Sequence, residues 1–170
     1  RRTALATAAK WSLVSGTSCV IGAAVSLWVL LLNKQYQFEY VFKHTDNFLT
    51  PDYRFAAFWG GQQGSFLLWA LTSALFGTIA ARSTGAYRRW FSITVGAFLC
   101  ALMAILALES PFHRWVPPAE MAAAMAGRIP PDGQGLNASL VNYWMVIHPP
   151  TIFSGFGSLV VLFAWAIAAL

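Results

Sequence analysis

The chain has 170 residues, 58% of them hydrophobic and only 10% charged, far below the roughly one-quarter charged residues of a soluble domain, so it belongs to the membrane class. Its net charge of +5 is scattered over the connections and forms no basic stripe, which excludes a nucleic-acid partner. Cys19 and Cys100 stand apart without a CxxC or a neighbouring ligand; they read as small apolar packing residues rather than a disulfide or a metal site.

In chain order, four apolar segments lack Asp, Glu, Lys and Arg: Trp11–Leu32, Ser65–Ala81, Trp90–Leu108 and Thr151–Leu170. Each is close to the ~20 residues that carry a helix across the hydrocarbon core. The expected fold is therefore all-α and polytopic, a single domain over residues 1–170 with transmembrane helices at about 11–32, 65–81, 90–108 and 151–170. Trp11–Leu32 is longer than the apolar core of a signal peptide and no small-residue cleavage site follows it, so it is expected to span. The sequence opens at Arg1 without Met and stops at Leu170 inside an apolar run, from which we expect a longer protein that continues at both ends.

Charge sets the expected orientation. Arg1, Arg2 and Lys10 precede the first span, and Arg82, Arg88 and Arg89 fill the short second connection, with no acid in either. All six acids fall in the long connections 33–64 and 109–150, beside Lys34, Lys43, Arg54, Arg114 and Arg128. The positive-inside bias puts the N-terminus on the cytoplasmic side and both long segments on the outer face. Connections of that length usually carry function.

In the first long segment, Tyr36, Phe38 and Tyr40 alternate with polar residues and Pro51-Asp52 marks a turn. Phe58-Trp59-Gly60-Gly61-Gln62-Gln63-Gly64-Ser65 then leads into the second span. Gly60, Gly61 and Gly64 allow a sharp bend and a close approach by a flat ligand or a helix. They stand next to a helix N-terminus, whose N–H groups favour anions. An interfacial turn with Trp59 and Trp69 as membrane anchors is the other reading of the same residues.

In the second long segment, Pro117-Pro118 followed by AEMAAAMAG predicts a short interfacial helix ending at Gly127. Asp132-Gly133-Gln134-Gly135 is a turn, and Asn137 is placed to cap a second short helix through Leu140, Val141, Trp144 and Ile147. Pro149 disfavours helical geometry at the residue before it, so His148 is expected on an elbow at membrane-surface depth, with the fourth span starting after the prolines. An imidazole there can be a metal ligand, a proton carrier or a packed ring. His44 and His113 read as solvated loop histidines. No histidine pair has zinc spacing, and no nucleophile motif, P-loop or dinucleotide fingerprint occurs.

Three motifs, in order, resemble CcmF-type cytochrome c haem lyases over essentially the whole chain. Trp59-Gly60-Gly61-Gln62-Gln63-Gly64-Ser65-Phe66-Leu67-Leu68-Trp69 is similar to that family's WGG-x-E-GS-x-LLW signature. Ser110-Pro111-Phe112 with Arg114 resembles its NPF-x-R motif. Asp132-Gly133-Gln134-Gly135-Leu136-Asn137 with Ile147-His148-Pro149-Pro150 resembles its DG-x-x-LNPLLQ…HPP segment. Gln63 replaces the usual glutamate, and Ala138-Ser139-Leu140-Val141 replaces Pro-Leu-Leu-Gln. The family's tryptophan-rich haem-binding motif lies beyond the HPP segment, and one further helix normally precedes this region.

The resemblance implies a bacterial inner-membrane protein of cytochrome c biogenesis that binds haem b at the outer face. It also implies thioether attachment of that haem to the CxxCH cysteines of an apocytochrome c, together with other maturation proteins and a haem chaperone. It makes His148 an axial ligand to the haem iron, with the second ligand outside this chain. Trp59, Gly60, Gly61, Gly64 and Trp144 become candidate walls of the haem or partner site. Arg54, Arg114 and Arg128 become candidate propionate partners. The rivals are a haem transporter of the same system, a non-enzymatic subunit of a membrane redox complex, and a scaffold for partner proteins. A proton-handling subunit should carry ionisable residues inside its spans, and these spans have none.

Overall fold

The computed structural model describes residues 2–125 and 127–170. Among these residues, seven α-helices follow in chain order: α1 (Arg2–Leu32), α2 (Glu39–His44), α3 (Pro51–Ala56), α4 (Gln62–Ala80), α5 (Arg88–Leu108), α6 (Ala119–Ala122) and α7 (Tyr143–Ala169). Short 3-10 turns at Ala57–Trp59, Gly85–Tyr87 and Ala138–Leu140 complete the order, and among the described residues there is no strand, only a single antiparallel bridge between Phe38 and Arg114. Among the described residues, four helices are long and apolar enough to cross a membrane. The protein is an all-α polytopic membrane protein, as its hydropathy predicts.

Several boundaries differ from expectation, each for a local reason. Pro51 begins α3 rather than a turn, because a proline at the first helical position gives up an N–H that has no partner there. α4 starts at Gln62, so Gly64 lies inside its first turn. The largest correction concerns His148-Pro149-Pro150. No elbow forms: α7 runs without interruption from Tyr143 through both prolines to Ala169. Its N-cap is Asn142, whose Oδ1 accepts from Met145 N at 3.2 Å, whereas Asn137 caps only the 3-10 turn, accepting from Ser139 N at 3.0 Å. A proline inside a helix costs its own N–H bond, and apolar spans tolerate it when another donor takes the freed carbonyl. Such a donor exists here and is described below.

The chain divides into two compact units. The first comprises the chain up to Ala24, Phe66–Leu108 and Pro150–Leu170. Its buried positions recur every three or four residues: Leu13, Thr17, Val20 and Ala24 on α1; Phe91, Val95, Leu99, Leu102 and Leu106 on α5; Val160, Ala164 and Ala168 on α7. Ile93, Ile105, Leu159, Leu162 and Phe163 are exposed on the other faces, as lipid-facing residues should be. Where lipid is as apolar as leucine, helices associate through small residues and interhelical hydrogen bonds. Thr17 Oγ1 lies 2.7 Å from Thr78 Oγ1, and Thr72 Oγ1 donates to Phe153 O at 2.9 Å. Such bonds contribute about 0.6 kcal/mol each in a membrane. Gly157 lets α7 lie against α4, since a Cβ there would come within 3.0 Å of Ser73 N. Trp69 sits between Phe98 and Phe156, its ring centroid 5.3 and 5.6 Å from theirs.

The second unit comprises Val25–Ser65 and Glu109–Pro149. It unites the two long connections and holds the motifs of interest.

Candidate functional site

The two long connections fold around α2. Glu39 N donates to His113 O and Trp115 N to Gln37 O, both at 2.9 Å, which makes the isolated bridge. At the other end of α2 the last carbonyls need donors. Gln134 N supplies Phe42 O at 2.7 Å and Gly135 N supplies Thr45 O at 3.1 Å. A side chain at Gly133 would collide with Thr45 O and come 2.8 Å from Phe42 O. Asp132 Oδ1 accepts from Gly133 N and Asn47 N, both at 2.8 Å. The DGQG turn is thus the C-terminal cap of a helix in the other connection.

The Trp-Gly-Gly segment wraps Tyr40. Its Oη donates to Phe58 O at 2.8 Å and accepts from Gly61 N at 3.1 Å. Burial pushes the Tyr40 phenol well above its ordinary value, in keeping with its role as a donor to Phe58 O. The Gly61 N–H near the α4 N-terminus is therefore already engaged by a protein oxygen. His44 stacks on the Tyr40 ring with centroids 4.2 Å apart. Its Nδ1 lies 2.8 Å from Tyr40 O; a carbonyl can only accept, so Nδ1 carries the proton and Nε2 the lone pair. A Cβ on Gly61 would strike that Nε2, and one on Gly64 would strike Phe58 O and Tyr40 Oη. His44 is no solvated loop residue: it ends α2, half-buried, and burial holds its pKa below the ordinary range. Beside it a polar cavity of about 140 Å³ is lined by Glu39, Lys43, His44, Gln63, Glu109 and His113, among others. Gln63, where the family resembled has a glutamate, presents an amide to that cavity rather than a carboxylate.

Trp59 is 7% exposed, and its Nε1 donates to Met145 O at 2.7 Å. Met145 is four residues before Pro149, so its carbonyl is the one that the missing proline N–H leaves free. The indole supplies the donor that lets α7 continue. Gly60 fits beneath the same contact, since a Cβ there would lie 2.9 Å from Leu136 Cδ2 and 3.4 Å from Met145 Cε. The space over the three glycines is occupied by this chain's own Leu136, Met145, His44 and Tyr40.

The other predicted site residues do not join this cluster. His148 and Trp144 are both exposed, Trp144 by 67%, and stand one turn apart on one face of α7. Trp144 meets Tyr143 edge-on at 5.6 Å. Arg54, half-buried, donates to Leu49 O. Arg114 is exposed beside the bridge, and Arg128 is exposed after the α6 turn. Among the described residues no three His, Cys, Asp or Glu side chains converge as a metal site. Sequence reasoning missed Tyr40, His44 and Met145 as the residues that shape the motifs. The four-residue spacings Tyr40–His44 and Met145–Pro149 were the signals available.

These features define a multi-pass membrane protein whose long connections interlock through a Trp-Gly-Gly segment, an Asp-Gly turn and a histidine-proline helix start. Residues 59–170 match the cytochrome c assembly protein family. The chain is 33% identical to the probable cytochrome c-type biogenesis protein NrfE of Escherichia coli, covering 77% of this chain and 23% of that protein. It is 31% identical to the cytochrome c-type biogenesis protein CcmF of Pseudomonas fluorescens, covering 82% and 20%, and 28% identical to CycK of Bradyrhizobium diazoefficiens, covering 88% and 22%. The chain belongs to the cytochrome c assembly protein family, and it spans about a fifth of the length of these relatives. No solved structure matches it significantly.

Proposed function

We propose that this chain forms part of a bacterial inner-membrane protein that holds haem at the outer face for attachment to apocytochrome c, with His148 as one axial ligand. The observation that carries this reading is the exposed pair Trp144 and His148 at the start of a helix apolar enough to span. Family membership supports the biogenesis role.

Imidazole is a common axial ligand to haem iron, and the His148 side chain makes no hydrogen bond to the described residues that would compete for its nitrogens. Among the described residues one imidazole stands on this face, since His44 and His113 line the polar cavity beside α2. The donor set fits one axial position, and the second ligand comes from outside these residues. When bound, haem offers vinyl groups to which the thiols of a CxxCH motif add as thioethers. The chain's own work is positioning. The indole bond to Met145 O replaces the N–H that Pro149 lacks, and the unbroken helix fixes the rise between Trp144 and His148. Trp144 offers a flat ring beside the imidazole. Arg114 and Arg128, both exposed, are the better candidates for propionates; Arg54 already serves Leu49 O.

The test is the reduced-minus-oxidised absorption spectrum of the detergent-purified full-length protein beside its His148→Ala variant. A low-spin spectrum that is lost or turned high-spin in the variant supports the ligand. Identical spectra would return His148 to a surface role, and a parent that takes up no haem when supplied with it would favour a scaffold for partner proteins.

A further inference from the structure

The acid-free end of the first unit plays no part in the haem reading, yet it gathers charge around a cavity. Lys10 of α1, Arg82 after α4 and Arg88 at the start of α5 line a space of about 360 Å³, walled also by Leu13, Val14 and Thr78. Among the described residues no carboxylate lines it. The Arg88 guanidinium donates to Ala81 O at 3.1 Å and Arg82 O at 3.3 Å, serving the carbonyls beyond the end of α4. Lys10 and Arg82 are exposed and carry no ion pair among the described residues. Arg89 lies over the Trp90 ring at 5.0 Å, as Lys10 does over Trp11 at 5.4 Å, but Arg89 does not line the cavity.

Two further observations set the chemistry of the occupant. Trp11 and Trp90 are 60% and 54% exposed next to Lys10 and Arg89, the placement of indoles at headgroup depth. Leu13 also lines a second, apolar groove of about 400 Å³ between α1 and α5, bordered by Gly16, Cys19, Gly96 and Cys100. Ser92 faces that groove, 4% exposed, its Oγ without a hydrogen-bond partner. It stands four residues beyond Arg88, about 6 Å along the helix axis. A phosphate at Arg88 would leave glycerol ester oxygens near that depth.

We propose that this is a binding site for an anionic phospholipid, its phosphodiester among Lys10, Arg82 and Arg88 and one acyl chain along the α1–α5 groove. Basic pockets between spanning helices are established headgroup sites in general. The adjoining apolar groove and its orphan hydroxyl point to a lipid rather than a soluble phosphate.

The experiment is native mass spectrometry of the full-length protein in mild detergent, offered equimolar phosphatidylglycerol and phosphatidylcholine. The parent should retain phosphatidylglycerol preferentially. Each cation near an anionic group contributes about fivefold, so Lys10→Gln with Arg82→Gln should lower that preference by roughly 30-fold. Lys10→Arg with Arg82→Lys, which keeps the charges, should preserve it and shows that the fold tolerates change there. Arg89→Gln removes the same charge outside the cavity and should leave the preference intact. Equal retention of both lipids by the parent, or equal loss with Arg89→Gln, would overturn the proposal. Displacement of phosphatidylglycerol by excess inorganic phosphate would assign the site to a soluble anion and overturn the lipid. None of these outcomes depends on haem.

Discussion

Replacing Trp59 by phenylalanine keeps an aromatic ring in place and removes one N–H. That N–H is 2.7 Å from Met145 O, the carbonyl that Pro149 leaves without a main-chain donor. Both side chains are buried, so water is poorly placed to substitute. An unsatisfied buried acceptor costs about 1–3 kcal/mol, and the smaller ring adds a packing loss of its own. A second substitution separates the two. Pro149→Ala restores a main-chain N–H four residues after Met145, within reach of the same oxygen. In that background Trp59→Phe should retain its packing cost and lose the acceptor cost, a coupling of about 1 kcal/mol. The assay is reversible unfolding of the full-length protein in mixed micelles, followed by helix content, for the parent, both single variants and the double variant. If Trp59→Phe costs the same in the parent as in the Pro149→Ala background, the indole does not compensate for the proline, and this account of an unbroken α7 is wrong.

Gly64→Ala should destabilise the protein by about 1–3 kcal/mol, because its Cβ would strike Phe58 O, whereas Gly155→Ala, with nothing within 4 Å, should be neutral or slightly stabilising; thermal melts of the two side by side check this. Tyr40→Phe strands Phe58 O and Gly61 N and should cost about 1–3 kcal/mol in the same unfolding assay. His44 has an ordinary pKa near 6.5 that burial lowers in the folded chain. The unfolded chain therefore binds more protons between the folded value and 6.5, so stability is full above that window and falls as pH drops through it. His44→Gln should flatten that part of a melting-temperature profile against pH; an unchanged slope would mean that His44 does not cause it.

Four spans and the concentration of aromatic and turn residues in two long connections were legible along the chain. Hydropathy and charge are properties of consecutive residues, and a helix satisfies its backbone within its own segment, so no distant partner is needed to recognise one. The elbow expected at His148 shows where that reading stops. Locally, Pro149 breaks a helix; in the folded chain it does not, because Trp59 reaches the freed carbonyl from 86 residues away. The glycines are a second case. As residues that permit close approach they are visible in sequence, but not as seats for Leu136, His44 and the Tyr40 hydroxyl. His44, too, looked solvated among polar neighbours and is instead stacked on Tyr40.

Sequence alone thus established the membrane class and the number of spans, since each follows from composition within a window. Tertiary structure decided which motif supports which: the Asp-Gly turn caps α2, Tyr40 organises the Trp-Gly-Gly segment, and Trp59 supplies the donor that Pro149 lacks in α7. Those are hydrogen bonds between residues far apart in the chain, and only the folded backbone brings a donor to the carbonyl that lacks one.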